Sequence, residues 1–113
     1  MSYQVHELLL EDGSSPYAKW FNSLDAVAAA KVVVAKARME LGNLSNVEWF
    51  RGIGEYKIDW GPGYRIYVAR DGLKVIVLLG GGTKRGQQAN IDRAVDLWEK
   101  YKALKSAARK GRK

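Results

Sequence analysis

The chain of 113 residues has no cysteine, 2 prolines and 1 histidine. Without thiols there is no disulfide framework, no thiolate zinc site and no cysteine nucleophile, and the composition suits a reducing compartment. The lone His6 rules out a histidine pair for acid–base catalysis, and in a predicted strand without nearby partners it reads as a surface or packing residue. No grouping of Asp, Glu and His has ligand spacing, so neither a metal site nor a cofactor is expected. No apolar run approaches the roughly 20 residues that span a bilayer. The opening Met1-Ser2-Tyr3-Gln4-Val5-His6-Glu7 has no basic flank before its apolar run and predicts no signal peptide. The expectation is a soluble, cytoplasmic protein with no membrane partner.

With 47% hydrophobic and 11% aromatic residues, the chain has the makings of one folded core. Two cores would need on the order of 100 residues each. Residues 1–105 are expected to form a single domain and 106–113 a basic, frayed tail. The net charge of +7 is unevenly spread. Residues 1–50 hold four basic side chains (Lys19, Lys31, Lys36, Arg38) against six acidic ones, net −2, which leaves +9 for the remainder. A basic half attracts polyanions because each phosphate contact releases condensed counterions.

Residues Tyr3–Leu10 read as a first strand, ended by the turn chemistry of Glu11-Asp12-Gly13-Ser14-Ser15-Pro16. Ser15 before Pro16 predicts an N-cap and first helical position, with Tyr17, Trp20, Phe21 and Leu24 at helical spacing. Asp25 caps a second helix whose predicted buried stripe is Val27, Ala30, Val34, Ala37 and Leu41, with Gly42 as terminator. Together these form a helix hairpin. Period-two alternation over 55–60 puts Tyr56, Ile58 and Trp60 on one face and Glu55, Lys57 and Asp59 on the other, a half-exposed strand. Gly61-Pro62-Gly63 turns the chain into a second alternating strand, 64–70. Residues 73–79 are apolar on both faces and predict a central strand, broken by Gly80-Gly81-Gly82-Thr83. Ile91, Ala94, Val95, Trp98 and Tyr101 mark the inner stripe of a terminal helix. The predicted class is therefore α+β: an N-terminal strand, a helix hairpin, an antiparallel three-stranded meander and a C-terminal helix, packed on one twisted sheet.

Cations interleave with aromatics in the second half: Lys57, Arg65, Tyr67, Arg70, Lys84 and Arg85, with Arg51 and Tyr64 close in sequence. Guanidinium groups bind phosphate through two parallel hydrogen bonds and aromatic faces stack on unpaired bases, which suits single-stranded RNA. Arg65 and Tyr67 share a strand face and would point into an open groove if Tyr64, Ile66 and Val68 cover the core. The alternative is that these cations are cross-strand partners of Glu55 and Asp59. Gly80-Gly81-Gly82-Thr83-Lys84-Arg85-Gly86 has the composition of a phosphate-cradling loop but not the Walker spacing. It reads either as an anion seat at the third helix's N-terminus or as a flexible connection with solvated Lys84 and Arg85.

The words Tyr56-Lys57-Ile58-Asp59-Trp60-Gly61-Pro62-Gly63-Tyr64-Arg65-Ile66-Tyr67 and Leu78-Leu79-Gly80-Gly81-Gly82-Thr83-Lys84-Arg85-Gly86-Gln87-Gln88, with Asn90, Ile91 and Ala94 beyond, resemble the addiction-module killer proteins, HigB-like members of the RelE/ParE toxin superfamily. Ala18-Lys19-Trp20-Phe21 and Gly42-Asn43-Leu44 match as well, and the likeness covers residues 3–105. The resemblance implies a RelE/ParE-like fold and the toxin half of a bacterial type II toxin–antitoxin pair, neutralised by a cognate helix-turn-helix antitoxin. It implies a ribosome-dependent mRNA endoribonuclease that inhibits translation, its partners being the ribosome and mRNA. The implied reaction needs no metal and no small-molecule cofactor: the ribose 2′-oxygen attacks the adjacent phosphate, and preorganised cations stabilise the developing charge. By position, Arg65 matches the strand arginine on the scissile phosphate, Lys84 and Arg85 the basic pair after the last strand, and Lys57 a basic residue of the preceding strand. Lys57 is thereby a proton-acceptor candidate among other cations. Asp59 stands where many relatives carry a second basic residue, and Ile91 where some carry a tyrosine. Tyr101 lies too far along the helix to replace it, so no general base is assigned. The other function open to this fold is non-enzymatic, the ParE-like binding and poisoning of DNA gyrase.

Overall fold

The computed structural model describes residues 2–110. In chain order, β1 (Gln4–Glu7) leads through a turn into α1 (Pro16–Asn22) and α2 (Ala26–Glu40); β2 (Val47–Phe50), β3 (Ile53–Ile58), β4 (Tyr64–Asp71) and β5 (Val75–Thr83) follow, and α3 (Gln87–Lys110) closes the fold. The sheet order is β1-β5-β4-β3-β2. Strands β2 to β5 form an antiparallel meander of four strands rather than three, and β1 lies parallel to β5 at the edge. The extra strand, β2, is short, and it turns into β3 through Arg51-Gly52, both with positive φ (52° and 82°). Two such residues make the turn whose twist matches a hairpin.

Helices cover both faces. Tyr56, Ile66, Val68, Ile76 and Leu78 pack under α1 and α2 with Tyr17, Val32 and Met39. Ile53, Tyr67, Ala69, Val77 and Leu79 pack under α3 with Ile91, Ala94 and Trp98. Each fully buried Ile, Val or Leu contributes about 1.5–3 kcal/mol of transfer free energy. Both predicted caps form: Ser15 Oγ accepts from the Ala18 N–H at 3.0 Å and Asp25 Oδ1 from the Ala28 N–H at 2.9 Å. The terminal-helix stripe also stands, with Ile91, Ala94 and Trp98 buried and Val95 and Tyr101 packed at its margin.

Several expectations are corrected. The buried stripe of α2 is Ala28, Val32, Ala35 and Met39, while Val27, Val34 and Leu41 of the predicted stripe are 55%, 49% and 78% exposed. Apolar residues occur on opposite sides of this helix, so periodicity alone could not choose the inner one. Strand β1 ends at Glu7, and only Leu8 of the following three leucines is buried. Strand β3 is not half-exposed: Ile53, Gly54, Glu55 and Tyr56 are all buried, because β2 and β4 flank it and helices lie above and below. The glycine run does not break β5. The strand continues to Thr83 through a bulge, where Val68 faces Leu78 but Tyr67 faces Gly80. That extra residue turns Gly81 toward α1, where a β-carbon would collide with the Trp20 indole; on Gly82 one would meet the Asn90 amide. Glycine is required here for close approach. Helix α3 runs to Lys110, so residues 106–110 of the expected frayed tail are helical, whereas 111–113 lie outside the described residues.

Candidate functional site

Period two places Glu55 and Lys57 on the α3 side of β3, and the hairpin register sets Glu55 opposite Tyr67 and Lys57 opposite Arg65. The first turn of α3 then lays Gln87 over them. Its Nε2 donates to Glu55 Oε2 at 2.9 Å, and Arg65 Nε lies 3.6 Å from the same oxygen. Lys57 Nζ stands 3.9 Å from Glu55 Oε1 and 3.2 Å from Glu48 Oε2. Glu55 is 1% exposed, a carboxylate sealed under the helix start.

Arg65 is held from a second direction, since its Nη1 donates to the Gly63 carbonyl at 2.9 Å. A β-carbon on Gly63 would sit 3.3 Å from that Nη1 and 3.5 Å from Lys84 Cβ, so Arg65 and Lys84 border the same corner. Two buried polar atoms there find no hydrogen-bond partner, Arg65 Nε and the Tyr67 hydroxyl. The hydroxyl stands beside Glu55 without closing a bond of ordinary geometry; burial first, and the Glu55 charge second, push its pKa well above the usual tyrosine value. A buried group left unpaired costs about 1–3 kcal/mol.

The remaining predicted residues are dispersed. Arg85, exposed, lines a different cleft of about 880 Å³ between α1, β5 and α3, together with Lys19, Trp20 and Arg93. Arg51 at the β2–β3 turn pairs with Asp92 at 2.8 Å, an ion pair that holds the Asp92 carboxyl below its ordinary value. Tyr64 lies on the opposite face, with its ring stacked 6.1 Å from Trp60. Arg70 is also on that face, 5.5 Å over the Tyr3 ring and donating to its hydroxyl. Tyr67, at 1% exposure, has no face open to a base. The expected open groove at Arg65 and Tyr67 is therefore closed, because α3 covers this face of the sheet. His6 is exposed and contacts Gln4.

Of the four proposed catalytic residues, Lys57 and Arg65 thus share the Glu55 carboxylate, and the β-carbon of Lys84 borders the Gly63 turn beside Arg65. Among the described residues no group of three or more Asp, Glu and His could hold a metal ion. Over 80 residues the chain is 32% identical to a protein of Haemophilus influenzae described as uncharacterized, and the match spans 69% of this chain and 81% of that one. The chain belongs to that protein's family. No family model and no solved structure matches it.

Two contributors to the corner, Glu55 and Gln87, were not singled out as site residues from the sequence. The signal for Glu55 was present: it shares Lys57's face and is diagonal to Arg65, the cross-strand pairing held as the alternative reading. Chemically, the corner is an anion-binding array whose central position is taken by the protein's own carboxylate. A phosphate entering it competes with Glu55 for Arg65 and with Glu48 for Lys57. No described helix is long and apolar enough to cross a membrane.

Proposed function

We propose that this chain is the toxin component of a bacterial type II toxin–antitoxin system, acting in the cytoplasm as a ribosome-dependent mRNA endoribonuclease of RelE/ParE type. The observation that supports the reading is that Lys57 of β3 and Arg65 of β4 meet at Glu55, with the β-carbon of Lys84, just past β5, beside the Gly63 turn that Arg65 contacts. In this reading Arg65 and Lys84 hold the scissile phosphate and stabilise the crowded phosphorane, while Lys57 lies close enough to exchange a proton with the ribose. The attacking 2′-oxygen loses its proton, the P–O5′ bond breaks, and the leaving oxygen is protonated, all without a metal. Partners are the ribosome with its mRNA and a helix-turn-helix antitoxin.

The buried Glu55–Arg65 pair favours a second reading. A guanidinium already neutralised and largely covered suits a docking toxin, which poisons a target such as DNA gyrase without chemistry. Mapping cellular mRNA ends by primer extension after induction separates the two. Codon-phased cuts that disappear in Arg65→Ala support the nuclease; intact mRNA with broken DNA and an SOS response supports the gyrase reading instead.

A further inference from the structure

Strand β5 outruns its neighbour β1. The parallel ladder between them ends at Glu7 opposite Leu78, yet β5 continues to Thr83 with β4 as its partner on the other side. Among the described residues no loop or turn hydrogen bond reaches the backbone of residues 79–83. This open edge lies along the cleft of about 880 Å³ between α1 and α3. An unpaired strand edge presents N–H donors and C=O acceptors in a row, and Gly80-Gly81-Gly82 leaves that row bare of side chains. Trp20 and Asn90 flank it, since a β-carbon on Gly81 would strike the indole and one on Gly82 the Asn90 amide. Lys19 of α1, Arg85 after β5 and Arg93 of α3 line the same cleft. All three are exposed, and among the described residues none is ion-paired. The one carboxylate lining the cleft, Asp12, already accepts from the Ser14 N–H and hydroxyl at 2.9 and 2.6 Å.

From this juxtaposition we propose that the cleft is a binding site for a mononucleotide, with the base against the bare edge of β5 and the 5′-phosphate among Lys19, Arg85 and Arg93. The edge of a nucleobase carries donors and acceptors side by side, which is what a strand edge offers in return, and the Asn90 amide adds one of each. Glycine lets a flat ring reach the backbone where any side chain would hold it off. Trp20 and Leu97 give the cleft apolar surface for the faces of the ring. Guanidinium and ammonium groups without counter-ions of their own are matched to a phosphate. An extended peptide could also pair with the edge, but it brings no phosphate to these three cations. The cleft volume falls within the range of small-molecule sites, about 300–1,000 Å³. The site is distinct from the Lys57–Arg65 corner, and the inference does not depend on RNA cleavage.

The test uses the full chain with AMP, GMP, CMP and UMP as probes, followed by calorimetry and amide NMR. At least one of them is expected to bind with a dissociation constant below about 1 mM and to shift the amides of Gly80, Gly81 and Gly82. Ribose 5-phosphate and the matching nucleoside, which lack the base and the phosphate respectively, are each expected to bind about tenfold more weakly or worse. Lys19→Glu with Arg93→Glu is expected to weaken the nucleotide at least about tenfold with the thermal midpoint unaltered. Should that double reversal lower the midpoint, Arg93→Gln alone makes the same comparison, with a loss of about threefold expected. Asn90→Ala is expected to weaken the nucleotide but not ribose 5-phosphate. No binding of any probe at about 5 mM, or shifts centred on Arg65, overturns the proposal. So does ribose 5-phosphate binding as tightly as the nucleotide, which would leave an anion site only. A hexaribonucleotide bound about 100-fold more tightly than the best mononucleotide overturns it as well, by assigning the cleft to a strand of RNA.

Discussion

Among the polar contacts that fasten helix α3 to the sheet, the one toward its far end and the one at its start are built differently. Toward its far end, Lys105 Nζ meets Asp71 Oδ2 at 2.7 Å and the Tyr101 hydroxyl donates to the same oxygen at 3.3 Å. Both partners of that ion pair are partly solvated, with 39% and 24% of their side chains exposed. At its start, Gln87 and Arg65 share one carboxylate oxygen of Glu55 in a buried setting, with Arg65 Nε and the Tyr67 hydroxyl unsatisfied. The far anchor is ordinary structural wiring. The near one keeps charges out of water with incomplete pairing, an arrangement that costs stability.

The largest expected effect breaks this comparison if it fails. Glu55→Ala leaves the Arg65 charge without its counter-ion and is expected to lower unfolding free energy by about 3–5 kcal/mol in urea titration, far more than Asp71→Ala. Replacing the pair together, Glu55→Leu with Arg65→Met, is expected to return stability to within about 1 kcal/mol of the parent while activity stays absent. A double variant as unstable as Glu55→Ala would show that the near anchor is structural too. Next in size, Arg65→Ala is expected to reduce cleavage of ribosome-bound mRNA about 100-fold, the scale for losing a preorganised charge contact.

Smaller effects sharpen the far side. Asp71→Asn is expected to cost about 0.5–1 kcal/mol, the range of a partly exposed ion pair. Its pH dependence has a definite sign. The Lys105 hydrogen bond, chiefly, holds the Asp71 carboxyl below its ordinary 3.8. The pair's contribution is therefore present above pH 3.8 and fades as pH falls through the depressed value, so parent and Asp71→Asn converge in acid. Least of all, Tyr101→Phe is expected to shift stability by a few tenths of a kcal/mol, since its hydrogen bond is long and partly solvated.

What could be read in advance follows the range of the forces involved. The Ser15 and Asp25 caps, the Gly61–Gly63 turn and the α3 stripe depend on neighbours a few residues away, and each appears where the sequence places it. The inner face of α2 depends on the sheet beneath it, which no local pattern encodes when valine and alanine occur all round the helix. The fate of Glu55 depends on a helix that begins 32 residues later, so an alternating strand with three charges looked solvated. Arg51 and Arg70 looked free for the same reason: their partners, Asp92 and Tyr3, lie 41 and 67 residues away.

One consequence concerns the order of assembly. Residues Gln4–Glu7 pair with Val75–Leu78, across nearly the whole domain. Strand β1 can therefore form its ladder only once β5 exists, a pairing of high sequence separation that is intrinsically slow to close. The β3–β4–β5 meander, by contrast, pairs strands that are near neighbours in sequence, so its loops close at lower entropic cost.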